Sequence, residues 1–129
     1  MDIAVGVICT VEGKIFVTQR PEGSHLAGYW EFPGGKSKPG ETIEQTLIRE
    51  LAEEIDIKVH NATFLKVVQH HYQERHINLH VFLVNQWDGE PFAKEGQVSR
   101  WIDVDELNAD DFPDANRSII EWLKDEKPC

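Results

Sequence analysis

Near the middle of a 129-residue chain, Glu50, Glu53 and Glu54 are spaced by three and four within Thr42 to Ile55, a run of strong helix formers. Taking about 100° per residue with Leu47 at zero, they fall near −60°, −120° and −20°, beside the apolar stripe of Leu47, Leu51 and Ile55. Like charges crowded on neighbouring helical positions cost a few tenths of a kcal/mol per pair, so a cation is expected to offset them. On its own such a trio is more often a solvated helix face. The segment ahead of it shifts the balance. Pro33-Gly34-Gly35-Lys36-Ser37-Lys38-Pro39-Gly40 breaks regular structure and places backbone oxygens, and then Glu41, beside the helical acids. An all-oxygen donor set suits magnesium or manganese. Magnesium is usually shared between a few carboxylates and the phosphates of a substrate. The chemistry implied is metal-assisted attack on a polyphosphate.

The elements that must position these residues follow from hydrophobic pattern and turn chemistry. Ile3 to Thr10 and Lys14 to Gln19 are β-rich and are joined by Val11-Glu12-Gly13, which predicts a first hairpin. A loop from Arg20 to Tyr29 contains His25 and leads into a short strand at Tyr29 to Phe32. After the helix, Ala62 to Gln73 and His76 to Trp87 alternate as two long antiparallel strands around Glu74-Arg75, and Val98 to Val104 makes a third. Asp114 to Lys124 carries Ile119, Ile120 and Leu123 at helical spacing. The order ββ, β, α, βββ, α, without repeat or linker, predicts one α+β domain over residues 1–129.

The balance of 13 Lys+Arg against 23 Asp+Glu gives a formal net charge of −10. Such a surface repels nucleic acid polymers and anionic membranes, while leaving small metal-complexed phosphates open as ligands. Neither a leader nor an apolar run long enough to span a bilayer is apparent. The two cysteines, Cys9 and Cys129, are read as neither a disulfide framework nor a metal pair, which favours a reducing, cytoplasmic setting. His70, His71, His76 and His80 are read as exposed strand histidines. They lie on alternate faces without cysteine partners, unlike a zinc site.

Gly35 to Glu41, seven residues, then Arg49-Glu50-Leu51-Ala52-Glu53-Glu54-Ile55-Asp56-Ile57 resembles the box of the Nudix hydrolases, with every charged position in register. Asp56 departs from it, standing where the box has glycine after the helix. The resemblance extends to IAVGVI, EFPGGK, RHI at 75 to 77, GEPFAKEGQ and NADDFPDAN, and so covers the chain from Ile3 to about Leu123.

This resemblance implies an α/β/α sandwich with a mixed central sheet. It also implies hydrolysis of 8-oxo-dGTP and related oxidised guanine nucleoside triphosphates to monophosphate and pyrophosphate, by water attack at the β-phosphorus. The expected metal ligands are the Gly34 carbonyl with Glu50, Glu53, Glu54 and Glu95. Glu50 or a neighbouring acid is the expected general base, and Glu41 with Arg49 orients the acids. Arg20, His25, Glu31, Phe32, Pro33, Gly34, Lys36, Arg75 and Asn116 are expected to bind substrate, with Asn116 reading the base. Ile3, Val5, Ile77 and Leu79 are expected as apolar walls. A monomer acting on a small nucleotide is the expectation. The alternatives are a Nudix hydrolase of another nucleoside diphosphate derivative and a non-catalytic nucleotide-binding module; the complete set of box acids disfavours the second.

Overall fold

A computed structural model describes residues 1–129. Its strands are β1 (Asp2–Ile8), β2 (Lys14–Gln19), β3 (Trp30–Glu31), β4 (Gly34–Lys36), β5 (Lys58–Tyr72), β6 (Arg75–Asp88) and β7 (Ser99–Asp103), and its helices α1 (Ile43–Ile55) and α2 (Arg117–Glu126). A four-stranded mixed sheet runs in the order β4-β1-β6-β5, with β1 parallel to β6 and the other pairs antiparallel. A three-stranded antiparallel sheet, β3-β2-β7, completes the strands. No helix is long and apolar enough to cross a membrane.

Alternation along β1 divides the interior in two. Ala4 and Ile8 face a core shared with Leu47, Leu51 and Ile55 of α1, while Val5, Val7 and Cys9 face one shared with Ile119, Ile120 and Leu123 of α2. The mixed sheet therefore lies between the helices. Both helices owe their place to a stripe of aliphatic residues that must be covered.

Five sequence expectations are corrected here. The predicted hairpin of the first two runs is reduced to its turn: Cys9 and Ile15 are bridged and Thr10 N donates to Lys14 O at 2.9 Å, but β1 and β2 then enter different sheets. The edge of β1 that a longer hairpin would have used is taken by Pro33 and β4, Gly6 N donating to Pro33 O at 2.8 Å. The segment expected to be irregular contains β4, short but registered on β1 as Ile3–Lys36, Ala4–Gly35 and Val5–Gly34. β5 begins at Lys58, and α2 begins at Arg117 after a 3₁₀ turn at Asp114–Asn116. Finally, Cys9 and Cys129 are disulfide-bonded, with Cα atoms 6.0 Å apart, because the chain beyond α2 returns to the buried end of β1.

Candidate active site

The start of α1 is set locally. Thr42 accepts from the Gln45 amide at 3.1 Å, and the Gln45 side chain accepts from the Thr42 amide at 2.9 Å, a reciprocal cap that satisfies two orphan donors. At the other end Asp56 takes the left-handed conformation, φ 59° and ψ 38°, and its amide bonds Leu51 O. The helix therefore closes as it would with glycine there, and Asp56 pairs with Lys94 at 3.8 Å. No basic residue occupies the last turn. Glu53 and Glu54 thus sit at the negative end of the helix dipole, which adds to their need for a cation.

Arg49 holds the acids in place. Its guanidinium grips Glu41 with two bonds of 2.6 and 2.9 Å, and reaches Glu50 at 2.7 Å, Glu53 at 3.2 Å and the Lys36 carbonyl at 3.1 Å. Glu41 also accepts from the Lys38 amide at 2.8 Å and from the Thr46 hydroxyl at 3.1 Å. Donated bonds, led by that of Arg49, hold its carboxyl down to about 2. The same ion pairs keep Arg49 charged under all ordinary conditions. Glutamates eight residues before and one and four residues after Arg49 are thereby fixed relative to β4.

The backbone of β4 presses into this cluster. A Cβ on Gly35 would overlap the Glu50 carboxylate, and one on Gly34 would overlap the Ala4 carbonyl, so only glycine admits this approach. The Gly34 amide donates to Glu54 at 3.3 Å. Burial pushes the Glu54 carboxyl up to about 8, against that amide bond, and the neighbouring Glu50 and Glu31 raise it further. Glu53 is the most open, with 56% of its side chain exposed.

Glu95 is exposed. Its loop is anchored on the end of α1 by Lys94 N to Glu54 O at 3.0 Å and Phe92 N to Ile55 O at 3.2 Å. No three of these acidic side chains converge as a ready metal cluster. The residues nonetheless fit a divalent ion. The donors are all oxygen, and Glu50 and Glu54 crowd at the glycine cradle, where burial disfavours the charge a dication would stabilise.

A cleft of about 450 Å³ opens beside the cluster. Of the expected substrate residues, Arg20, His25, Glu31, Phe32, Gly34, Lys36 and Asn116 line it, as do all four expected apolar walls. Arg20 donates to the His25 carbonyl at 2.6 Å and to Glu31 at 2.9 Å, fastening its loop to β3. Phe32 is buried and stacks on Phe112 at 5.2 Å. Asn116 precedes α2 without capping it, and its side-chain amide only touches Pro113 O at 3.4 Å.

Two expected residues lie elsewhere. Pro33 is buried, its carbonyl taken by the Gly6 amide at 2.8 Å, and Arg75 is exposed at the β5–β6 turn. Sequence reasoning missed His70 and Tyr72. Both line the cleft from β5, and the Tyr72 ring lies 5.0 Å from that of His25. Their signal was the two-residue period that puts Val68, His70 and Tyr72 on one face, opposite Leu79, Ile77 and Arg75 of β6. The reading of His70 and His80 as exposed histidines is therefore corrected, His80 being half-buried against Asp2, whereas His71 and His76 are exposed and face each other at 4.1 Å.

With this geometry in hand, comparison with known proteins is informative. A family profile described as the NUDIX domain matches residues 4–122. The chain is 44% identical over 124 residues to an "8-oxo-dGTP diphosphatase" of Escherichia coli (strain K12), covering 96% of each. It is also 44% identical to a Haemophilus influenzae protein of the same description, covering 98% of this chain and 93% of that one. Among solved structures, one from work on MutT of Aliivibrio salmonicida and Vibrio cholerae superposes with a TM-score of 0.84 at 34% identity, covering 97% of both chains.

Proposed function

The chain belongs to the NUDIX domain family and is a nucleotide hydrolase of it, and from that premise we propose that its substrate is 8-oxo-dGTP, cleaved to 8-oxo-dGMP and pyrophosphate. The observation that carries this reading is the Arg49 hub, which locks the box acids against Gly34–Gly35 at one end of a cleft whose opposite end holds Asn116. The 44% identity to diphosphatases of that description supports the choice of base.

In this reading the Gly34 carbonyl, Glu50, Glu53, Glu54 and Glu95 hold magnesium or manganese, with Glu41 and Arg49 orienting the helical acids. When bound, the ion supplies charge neutralisation on the phosphates and polarisation of their oxygens. Lys36 and Arg20 meet phosphate oxygens at the β4 end of the cleft, and His25 closes over from the loop. Water attacks the β-phosphorus in line, its proton passes to a carboxylate of the Glu50 group, and the nucleoside monophosphate leaves. Asn116 supplies a fixed acceptor toward N7, a proton donor in 8-oxoguanine and an acceptor in guanine, and such a mismatch at a desolvated site discriminates strongly.

We place the protein as a monomer acting on small nucleotides rather than on nucleic acid or membranes, in keeping with its charge of −10. The cytoplasmic setting rests on the nucleotide substrate. The Cys9–Cys129 bond weighs against it, because disulfides rarely persist in reducing compartments.

The test is product analysis with magnesium across 8-oxo-dGTP, dGTP, ADP-ribose and a dinucleoside tetraphosphate. The highest kcat/KM is expected for 8-oxo-dGTP, with ¹⁸O from labelled water recovered in pyrophosphate. Preference for another substrate overturns the substrate reading, and label in the monophosphate overturns attack at the β-phosphorus.

A further inference from the structure

The floor of the cleft is the mixed sheet, and its strand order arranges the ligand. Lys36 on β4 pairs with Ile3 on β1, Ile3 with Leu79 on β6, and Leu79 with Val68 on β5, so one row of side chains crosses the whole sheet. Strands are spaced by about 4.8 Å, which puts β5 roughly 14 Å from β4. The glycine cradle and the acids occupy the β4 end. A nucleotide with its phosphates there extends across β1 and β6 and delivers its base to β5. The Asp114–Asn116 turn packs against the same strand, so the two features agree on where the base lies.

His70 stands on β5 next to that row, opposite Ile77, half-buried and lining the cleft. Of the other strand histidines, His60 bonds Asp88 at 2.7 Å and His80 bonds Asp2 at 3.0 Å, while His71 and His76 are exposed and meet through their rings outside the cleft. His70 has neither an ion pair nor a hydrogen bond with the protein, and its neighbours on the cleft floor, Ile77 and Leu79, are aliphatic. A ligand that covers this ring and excludes solvent must itself bond a ring nitrogen or leave a polar group unsatisfied.

We infer that His70 is a specificity-determining residue of this chain, one ring nitrogen hydrogen-bonding an edge of the nucleobase while Asn116 reads another. This rests on the nucleotide reading above. It adds a second polar contact to the base end, supplied by the sheet instead of the turn. A histidine that merely fills space would be replaced without loss by another aromatic ring.

The experiment compares the parent with His70→Phe, which keeps the ring and removes both nitrogens, and His70→Gln, which keeps a hydrogen-bonding group. KM and kcat are measured with 8-oxo-dGTP, product affinity by titration calorimetry with 8-oxo-dGMP, and the inhibition constant of inorganic tripolyphosphate as a probe of the metal end. His70→Phe is expected to raise KM and weaken product binding by about three- to tenfold, equivalent to one net hydrogen bond. kcat and the tripolyphosphate constant should stay within about twofold. His70→Gln is expected to recover part of the loss. Unchanged product affinity in a folded His70→Phe protein overturns the inference, as does an equal loss of tripolyphosphate affinity. If the parent itself fails to bind 8-oxo-dGMP, the substrate reading falls first, and the inference with it.

Discussion

At the β4–α1 end of the cleft one guanidinium makes five hydrogen bonds, to three carboxylates and a carbonyl, and is only 19% exposed. At the β5 end His70 makes none, Asn116 makes one long contact, and His25 and Tyr72 meet only through their rings. The first region is tied by charge before any ligand arrives. The second is shaped by packing and leaves its polar atoms uncommitted. Chemistry at phosphorus needs oxygens held to within a fraction of an ångström, whereas base recognition draws its selectivity from polar groups that only the right ligand satisfies. Substitutions at the two ends should therefore separate kcat from KM and from substrate choice.

The largest effect is expected at the acid end. Glu53→Gln should lower kcat by about 10³-fold while far-UV circular dichroism and melting remain those of the parent, because Glu53 is the most exposed of the helical acids. A variant that turns over normally would remove Glu53 from the metal site. Arg49→Ala comes next, since it acts through its neighbours. With Glu41, Glu50 and Glu53 released together, kcat or magnesium affinity should fall about 10- to 100-fold. Retained activity and unchanged magnesium affinity by calorimetry would show that the hub only stabilises the fold.

The two ends also differ in how plainly the sequence announces them. Glu41, Arg49, Glu50, Glu53 and Glu54 lie within fourteen consecutive positions, 41 to 54, and helical geometry converts that spacing directly into proximity. α1, its apolar stripe and its start at Thr42 were legible for the same reason. The cleft wall was not, because strand pairing and a turn bring His70 to the same cleft as Asn116, 46 residues further along the chain. The parallel pairing of β1 with β6 was equally hidden. Local turn chemistry at Val11-Glu12-Gly13 suggested a hairpin, yet the apolar faces of β1 are covered better in a sheet between two helices. The same long-range closure produced the Cys9–Cys129 contact, with a separation of 120 residues that no spacing rule reads.

At the base end the expected changes are smaller and of another kind. Asn116→Ala should reduce the ratio of kcat/KM for 8-oxo-dGTP over dGTP by about tenfold or more, with kcat for dGTP nearly unchanged. An unaltered ratio would take Asn116 out of base reading. The disulfide supports the same region from behind, since Cys129 follows α2 and the Asn116 turn precedes it. Reduction frees a loop of 120 residues in the unfolded chain, for which the chain-entropy relation gives about 4–5 kcal/mol, or a fall in Tm on the order of 10 °C. Scanning calorimetry with and without a thiol reductant measures it, and Cys9→Ser should be insensitive to the reductant. Identical melts of the parent in both conditions would show that the bond does not form.

The smallest effect concerns protons, and it belongs to the acid end alone. Unfolded, Glu54 titrates near 4.5; folded, burial and its carboxylate neighbours raise it to about 8. Between those values the folded chain holds the extra proton, so stability is highest below 4.5 and declines as pH rises through about 8. Glu41 works in the opposite sense, contributing above its ordinary 4.5 and losing that contribution as pH falls toward about 2. The two windows do not overlap, which allows them to be measured separately. In metal-free protein, Tm should therefore drift downward from mildly acidic to slightly alkaline pH, by an amount that Glu54→Gln abolishes. Magnesium should flatten the slope as well, because a dication stabilises the carboxylate and expels its proton, and calorimetry in buffers of different ionisation enthalpy should detect that release. A slope that survives Glu54→Gln would mean that the buried proton sits elsewhere. The acid end would then be held by Arg49 without the crowding that a cation relieves.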